Sequence, residues 1–544
     1  VDGATCPERS RRILGLDIGT TSTKAVLFDR SGAEVATAER AYRLRTPQPG
    51  WVEQDPDEVW QALLHVLRSI VDRTGVGAPP RGRPLALALA AQSGSLLPGR
   101  KDGSSVSPII TWLDGRTEGL VSRWQAKGVE SKVRAISGWH LYPGLPLPTI
   151  AWLRQHQPDV FGAAEHYFSV NDFLVHRLTG RFCTNPSNGG GMQLVDVATA
   201  DWSADLCALA GIEPEQLSPI RPTGAVVGLI RPEVSRLTGL PAETVVVNGG
   251  HDQGCTALGL GVTSPGRVLL GCGTAWVITG VTGTPDITEL PPSLDLNFHP
   301  AHQSGRVPGC WAVSQSLGGL GASLEWLLQR CWPAVDPEST AREAGDSRHV
   351  AFAALDAELG QTTPGGGGLF FLPLTGGHST PAGDQRGALW GLRLDHTRAD
   401  MARAVMEGAA YELRWALEPI RRAGMPIERM WMIGGAAQSP LWPSIVADVT
   451  GVPLSLPQAS PARPERRRGK QGREGTHWPA VGAAILAGVG SGAYESMAEA
   501  QARFQRPERQ IKPDRARISI YDGYYSTYQQ LADQTIAAQT QCPG

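Results

Sequence analysis

Two stretches of this 544-residue chain repeat one local pattern, and that pattern constrains the fold more than anything else in the sequence. The first runs Ile13-Leu-Gly-Leu-Asp17-Ile-Gly19, then Thr20-Thr21-Ser22-Thr23, then Lys24-Ala-Val-Leu-Phe-Asp29. Two apolar runs of strand length around a Gly/Thr/Ser turn read as a β-hairpin. The second is Val268-Leu-Leu-Gly271-Cys-Gly273-Thr274-Ala-Trp-Val-Ile-Thr279, again strand, Gly/Thr turn, strand. A duplicated fold with one hairpin in each half would look like this. A short chance likeness would too.

The surrounding pattern is α/β. Ser31-Gly32 is a second turn, Glu34–Glu39 reads as a third strand, and Leu85–Ala91 has strand length. Pro56–Asp72 carries Val59, Leu63, Val66 and Ile70 at helical spacing. Ser323–Cys331 and Asp400–Ala423 read as later helices, and Gly365–Gly368 as a flexible glycine run. Ser460–Thr476 reads as a disordered surface insertion, and its basic cluster, Arg466 to Arg468 with Lys470, as a solvated loop.

The length predicts two or more domains. A net charge of −2 gives no field for nucleic acid or an anionic membrane, so neither is expected as a partner. No apolar run reaches the roughly 18–20 residues of a membrane span. Val1 to Arg12 lacks the apolar core of a signal peptide. The eight cysteines form no C-x-x-C pair and read as free thiols, so a cytoplasmic location is expected.

Chemistry concentrates in a few turns. The Gly19-Thr20-Thr21 turn exposes N–H groups and hydroxyls suited to phosphate oxygens, Asp17 suits magnesium, and Lys24 could offset phosphate charge. The same residues also fit an ordinary polar hairpin. Gly249-Gly-His251-Asp252-Gln253 follows the β-branched run Val245 to Val247. A carboxylate past a buried strand end suits a base that activates an alcohol. It also suits a turn aspartate capping a helix that starts near Cys255; His251 reads as structural. Gly273-Thr274 is a second donor-rich turn. Gly434-Gly435 after Met430 to Ile433 would let a flat base or ribose approach the backbone, or is a plain strand-to-helix turn.

Other nucleotide and hydrolase patterns are missing. No G-x-x-x-x-G-K-[ST] is present, and Gly259-Leu-Gly261 opens no helix because Thr263-Ser-Pro265-Gly266 interrupts it. No G-x-S-x-G elbow occurs.

Taken in order, these pieces resemble the FGGY carbohydrate kinases, which include xylulokinase, gluconokinase, glycerol kinase and fuculokinase. The likeness runs from about Ile13 to Gly492 and is most xylulokinase-like. Leu16 to Lys24 resembles the family's phosphate hairpin, and Pro49-Gly-Trp51-Val-Glu-Gln54-Asp-Pro56 with Trp60 its characteristic loop and helix. Trp112-Leu-Asp114-Gly-Arg116 matches its Trp-x-Asp-x-Arg. Gly144–His156 resembles the first family signature and Gly387 through Glu407 the second. Gly434 to Trp442, with Asp448 and Gly451, resembles the adenosine turn and its helix.

The resemblance implies two ribonuclease-H-like domains of the actin/hexokinase/chaperone-ATPase type with ATP in the cleft between them. The expected divisions are 12–262, 263–500 with the 460–476 insertion, and a C-terminal extension at 501–544. It implies Asp252 as base and Asp17 as holder of magnesium. Gly19, Thr20, Thr21, Lys24, Gly273 and Thr274 would hold phosphates; Gly321, Gly434, Gly435 and Ser439 would lie near the nucleoside. Gln92, Ser93 and Gln253 would touch a sugar or polyol. A homodimer is expected by resemblance alone.

The chain also departs from the family pattern. Thr149 stands where the first signature usually has Lys, and Ala275 follows Thr274 where Ser is common. Ser93-Gly94 replaces both Met-His and Arg-Glu, and Thr375–Pro381 replaces Gly-Glu-Arg-x-Pro. The acceptor is therefore the open question. A ketopentose such as xylulose leads, with gluconate, erythritol, fuculose, ribulose or glycerol as alternatives. A catalytically weak sugar- or nucleotide-binding regulator on the same fold is the reading of another class.

Overall fold

The computed structural model describes residues 12–76, 85–284, 286–301, 310–331, 355, 357–373, 386–458 and 476–541. Almost all of the expected 460–476 insertion, and all of Thr375–Pro381, lie outside these residues.

The first hairpin forms as its sequence suggests. Strands β1 (Arg12–Ile18) and β2 (Ser22–Phe28) pair antiparallel with Asp17 opposite Lys24, and β3 (Glu34–Ala41) continues from β2. Strand β4 (Leu85–Ala91), every residue buried, pairs parallel with β1. Strands β5 (Val226–Leu229) and β6 (Val245–His251) complete the order β5-β6-β4-β1-β2-β3. Helix α1 (Pro56–Thr74) covers this sheet. Asp55 caps it by accepting the Asp57 and Glu58 N–H groups, Pro56 opens it, and Gly75 stops it in the left-handed region at φ 62°.

The second half repeats the arrangement. Strands β7 (Gly266–Cys272) and β8 (Trp276–Thr282) form the second hairpin, and β9 (Asp295–Phe298) and β10 (Trp311–Ser316) extend it. Strand β11 (Ile427–Gly434) runs parallel to β7 and β12 (Leu454–Pro457) parallel to β11. Thus β10-β8-β7-β11-β12 reproduces β3-β2-β1-β4-β6 in order and direction. The likeness between the hairpins is therefore a likeness between two whole ribonuclease-H-like sheets. The segment expected as a C-terminal extension supplies strand β13 (Glu508–Ile511), which pairs with β12, and a long terminal helix.

One short helix leads from the first sheet to the second. Helix α2 (Asp252–Gly259) follows β6 directly, so it begins at Asp252 rather than near Cys255 as expected. Among the later helices, α3 is Leu320–Cys331, α4 Arg398–Arg422, α5 Trp442–Thr450, α6 Trp478–Gly490 and α7 Arg515–Gln541. Helix α6 packs on α2 and against β1, β4 and β6 of the first sheet. Its small residues, Ala480, Ala483, Ala484 and Ala487, share one core cluster with Ala86, Ala88 and Ala90 of β4 and Leu269 of β7. The approach is backbone to backbone: a Cβ on Gly15 would stand 1.8 Å from the Ala480 carbonyl oxygen, and one on Gly482 1.9 Å from that of Cys255.

The glycine run 365–368 is a fixed turn rather than a flexible one. All four residues have positive φ, the Gly365 N–H donates to Glu407 Oε1 at 3.0 Å, and Tyr524 of α7 occupies the place of a Gly365 side chain. Glu407 is buried with Arg403, whose guanidinium pairs with it at 2.7 Å, and with the Tyr521 hydroxyl, which donates to it at 2.9 Å. A buried carboxylate with this many donors ties α7 to α4.

Candidate active site

The parallel strands β1, β4 and β6 end together. Asp17 lies level with Ala90, Ala90 with Gly250, and Ala91 with His251, while the Gln92 N–H donates to the Ile18 carbonyl at 2.8 Å. This register brings Asp17, Gln92 and Asp252 to one edge, the carboxyl end of the strands, where α/β sheets place their ligands.

The Gly19-Thr20-Thr21 turn is braced from behind. Tyr42 donates its hydroxyl to the Gly19 carbonyl, Gln54 Nε2 donates to that of Thr20 at 2.5 Å, and the Tyr42 N–H donates to that of Thr21 at 3.0 Å. With three successive carbonyls held on the protein side, the N–H groups of Thr20 and Thr21 have no partner among the described residues. Such an exposed pair of N–H groups is an anion cradle. Trp112, a 45% exposed side chain, donates its indole N–H to Thr20 Oγ1 at 3.0 Å.

Asp17 is 7% exposed. Burial pushes its carboxyl up to about 6; Lys24, 3.6 Å away, pulls it down, and the charge of Asp252 pushes it up again. Lys24 also lies 3.9 Å from Glu39, so its ammonium sits between two carboxylates close to the hairpin turn.

The sign of the pH effect on Asp17 follows. A carboxyl held above its ordinary range binds its proton more tightly when folded. Its contribution to stability is therefore greatest at low pH and is lost as pH rises through about 6. Binding of a cation or a cation–phosphate needs the ionised form. We expect kcat/KM to fall as pH drops below about 6, and the Asp17→Asn variant to lose this acid limb along with most activity. A pH–rate profile checks it.

Asp252 opens α2 with its side chain 27% exposed. Its Oδ1 accepts the Gln253 N–H at 2.6 Å and lies 3.0 Å from His251 Nε2. The carboxylate bonds its neighbour and leaves the helix N-cap to His251, whose side chain makes no capping bond. The capping role weighed from sequence is thus not what the residue does.

Gln92 is 2% exposed, and its amide is engaged: Nε2 donates to Gln54 Oε1 at 2.9 Å, and Oε1 accepts from Ser95 at 3.3 Å. It therefore braces Gln54, and through it the turn. The Ser93 hydroxyl is buried without a hydrogen-bond partner, against Gly191. Gln253 is exposed beside Asp252.

The second hairpin tip, Gly273 to Ala275, is exposed. Helix α3 begins against it: the Ala322 N–H donates to the Thr274 carbonyl at 3.1 Å, and a Cβ on Gly321 would stand 2.0 Å from the Gly273 carbonyl oxygen. A helix N-terminus beside a glycine turn favours anions. We expect Gly321→Val to raise KM for the nucleotide at least tenfold by displacing this turn, with a smaller change in KM for the acceptor; steady-state kinetics in both substrates check it. Gly434, at φ 98°, ends β11 against the Cys272 carbonyl, and Gly435 is open and exposed. The Ser439 hydroxyl accepts the Leu441 and Trp442 N–H groups at 3.3 and 3.2 Å, starting α5.

Sequence reasoning missed three contributors. Gln54 lies in a quoted motif but had no role; Tyr42 has no local signal at all; and Trp112 was read as a motif residue without its bond to Thr20.

Comparison with known proteins decides the family. Residues 12–259 match the FGGY family of carbohydrate kinases, N-terminal domain, and residues 269–463 match its C-terminal domain. The chain belongs to the FGGY family of carbohydrate kinases. It is a sugar phosphotransferase; the first matched segment ends with helix α2 and the second begins within strand β7. This FGGY kinase is 27% identical over 522 residues to L-xylulose/3-keto-L-gulonate kinase of Escherichia coli (strain K12), covering 95% of this chain and 96% of that one. It is 26% identical over 525 residues to the xylulose kinase of the same organism, covering 96% and 99%. The solved xylulose kinase from Rhodospirillum rubrum superposes with a TM-score of 0.82 at 30% identity, covering 96% of this chain and 99% of that one. No helix among the described residues is long and apolar enough to cross a membrane, and Cys183, Cys207, Cys255, Cys272 and Cys310 are free thiols.

Proposed function

We propose that this FGGY kinase transfers the γ-phosphoryl group of ATP to a hydroxyl of a ketopentose, with xylulose the first candidate. The observation that carries the reading is the strand register that brings Asp17 and Asp252 to one sheet edge, beside a turn whose N–H groups have no partner among the described residues. The xylulose kinases among its relatives support the acceptor. A gluconokinase of Bacillus licheniformis, 26% identical over 82% of this chain, keeps sugar acids in the test.

In this reading Asp252 takes the proton of the acceptor hydroxyl as that oxygen bonds to the γ-phosphorus. The bond from phosphorus to the bridging oxygen breaks, and ADP leaves. Thr20 and Thr21 hold phosphate oxygens from the first sheet, and Gly273 and Thr274 from the second. Gly435, with open space around it, leaves room for the nucleoside, while Gly321 and Gly434 let the backbone turns of that side close on Gly273 and Cys272. Ser439 shapes that side by starting α5.

Magnesium fits the residues present. Asp17 is a buried carboxylate with a second carboxylate near it, and no group of three or more metal-ligating side chains is found among the described residues. That donor set suits a hydrated cation taking most of its oxygens from water and phosphate. Such an ion would neutralise charge on the β- and γ-phosphates. We further propose a division into domains near residue 262, action in the cytosol, and a homodimer.

The reading is tested by kcat/KM for D-xylulose, L-xylulose, ribulose, fuculose, erythritol, glycerol and gluconate with magnesium and ATP. Xylulose is expected to lead. A lead of tenfold or more for gluconate or glycerol contradicts the ketopentose assignment.

A further inference from the structure

Two routes of hydrogen bonds run from Trp112 to Thr20, 92 residues apart in the chain. The long route is buried. The Trp112 backbone N–H donates to Ser95 Oγ at 3.2 Å, and the Ser95 hydroxyl donates to Gln92 Oε1 at 3.3 Å. Gln92 Nε2 donates to Gln54 Oε1 at 2.9 Å, and Gln54 Nε2 to the Thr20 carbonyl at 2.5 Å. Ser95, Gln92 and Gln54 are each 2% exposed or less. The short route is direct: the Trp112 indole N–H donates to Thr20 Oγ1 at 3.0 Å.

Chemistry fixes the direction of each bond. A carbonyl only accepts, so Gln54 must present its NH₂ group to Thr20 and its oxygen to Gln92. That sets the Gln92 amide, whose oxygen then accepts from Ser95. An indole N–H only donates. Thr20 Oγ1 is therefore the acceptor, and its own proton must be directed elsewhere. No acceptor for that proton occurs among the described residues. The same turn carries the unpartnered N–H groups of Thr20 and Thr21.

The tryptophan is held by its backbone. Thr111 donates its N–H and its hydroxyl to the Val52 carbonyl at 3.0 and 2.8 Å, and the Val52 N–H donates to Asp114 Oδ2 at 2.7 Å. The ring itself is 45% exposed, so burial alone does not account for its place.

We propose that Trp112 is a positioning residue for the phosphate turn: its indole N–H occupies one lone pair of Thr20 Oγ1 and leaves that hydroxyl as a donor to a phosphate oxygen of the nucleotide. This inference rests on the reading that the Thr20 turn holds phosphate. A free hydroxyl rotates and can present either a proton or a lone pair. An anionic oxygen needs the proton. Fixing the hydroxyl beforehand lowers the ordering cost that binding would otherwise meet.

A double-mutant cycle tests it, with Trp112→Phe, Thr20→Val and the two combined. Phenylalanine keeps an aromatic ring and deletes the N–H; valine keeps the shape of threonine and deletes the hydroxyl. The readout is kcat/KM for ATP, with magnesium and a saturating amount of the sugar in the panel above that turns over fastest. KM for that sugar and the thermal midpoint are measured alongside. Trp112→Phe is expected to lower kcat/KM for ATP about 3- to 10-fold, the effect of losing an ordinary hydrogen bond, with the sugar KM and the midpoint unchanged. Thr20→Val is expected to lower it about 10- to 100-fold, the effect of losing a bond to a charged group. In the double variant the tryptophan change should cost nothing further, because no hydroxyl is left to orient.

An equal loss from Trp112→Phe with and without the Thr20 hydroxyl overturns the inference. So does unchanged kcat/KM in Trp112→Phe, a loss confined to the sugar KM, or a loss that accompanies a fall in thermal midpoint. Unchanged kcat/KM in Thr20→Val would instead remove the Thr20 hydroxyl from the phosphate site, so the two failures are distinguishable.

Discussion

Asp252→Ala is expected to lower phosphoryl transfer by about 10²–10⁴-fold, the usual contribution of a general base, while nucleotide affinity changes little. The separation follows from position. Asp252 stands just past the end of β6 with a partly exposed side chain that braces no phosphate turn. The turn at Gly19 to Thr21 is held instead by Tyr42, Gln54 and Trp112, none of which touches Asp252. Removal of the carboxylate also relieves Asp17 of a neighbouring negative charge, so its carboxyl should titrate lower in the variant. Single-turnover rates together with calorimetric titration of a non-hydrolysable ATP analogue check both halves. Loss of nucleotide binding in step with turnover would mean that Asp252 holds the site together rather than performing the chemistry.

The second large effect falls on stability. Gly482→Ala adds one methyl group and is expected to destabilise the protein by about 3 kcal/mol, the upper end of common overpacking costs. The added Cβ would stand 1.9 Å from the Cys255 carbonyl oxygen and 2.6 Å from its carbon. These are backbone atoms of α2, so no side chain can swing away. Helices α2 and α6 must separate, and α6 is also pressed against β1 by Gly15 and Ala480. Because α2 begins with Asp252, the separation also disturbs the site, and activity should fall at temperatures well below the new midpoint. Gly523→Ala supplies the opposite sign. That glycine lies on the exposed face of α7 with open space around it, so alanine should stabilise by about 0.5–1 kcal/mol through helix propensity. Thermal midpoints of the two variants, measured side by side, test whether the crossing is as tight as described.

What could be read from the sequence and what could not divide along a physical line. The hairpins at Asp17 and Gly273, the strand Leu85–Ala91 and helix α1 were legible because their signals are local: apolar period, turn residues, and an Asp-Pro start. Helix α2 starts earlier than the expected Cys255, directly after the glycines of β6 and with Gly254 in its first turn. The smallness of these glycines serves packing, since a Cβ on Gly249 would strike the Leu89 carbonyl, and Gly250 and Gly254 lie against Pro300. The pairing of β12 with β13 and the seating of α7 on Glu407 are contacts between distant segments, which no local pattern encodes. In the site, the charged residues singled out from sequence, Asp17, Lys24 and Asp252, stand at one edge of the first sheet. The braces were not singled out: Tyr42 and Gln54 act through single bonds to carbonyls across the fold. Gln92 was expected to touch the acceptor; in the structure its amide bonds Gln54 and Ser95, contacts no local pattern encodes. The family resemblance supplied roles that geometry alone left open, Asp252 above all.

The central claim is that this site moves a phosphoryl group from ATP to a sugar with Asp252 as base. The most direct measurement is magnesium-dependent ADP release with and without D-xylulose, in the wild type and in Asp252→Ala, with phosphorylated sugar quantified alongside. The account predicts ADP and sugar phosphate in equal amounts, dependent on the sugar, and reduced at least a hundredfold in the variant. ADP release indifferent to every sugar in the panel, or equal in the two proteins, would contradict it.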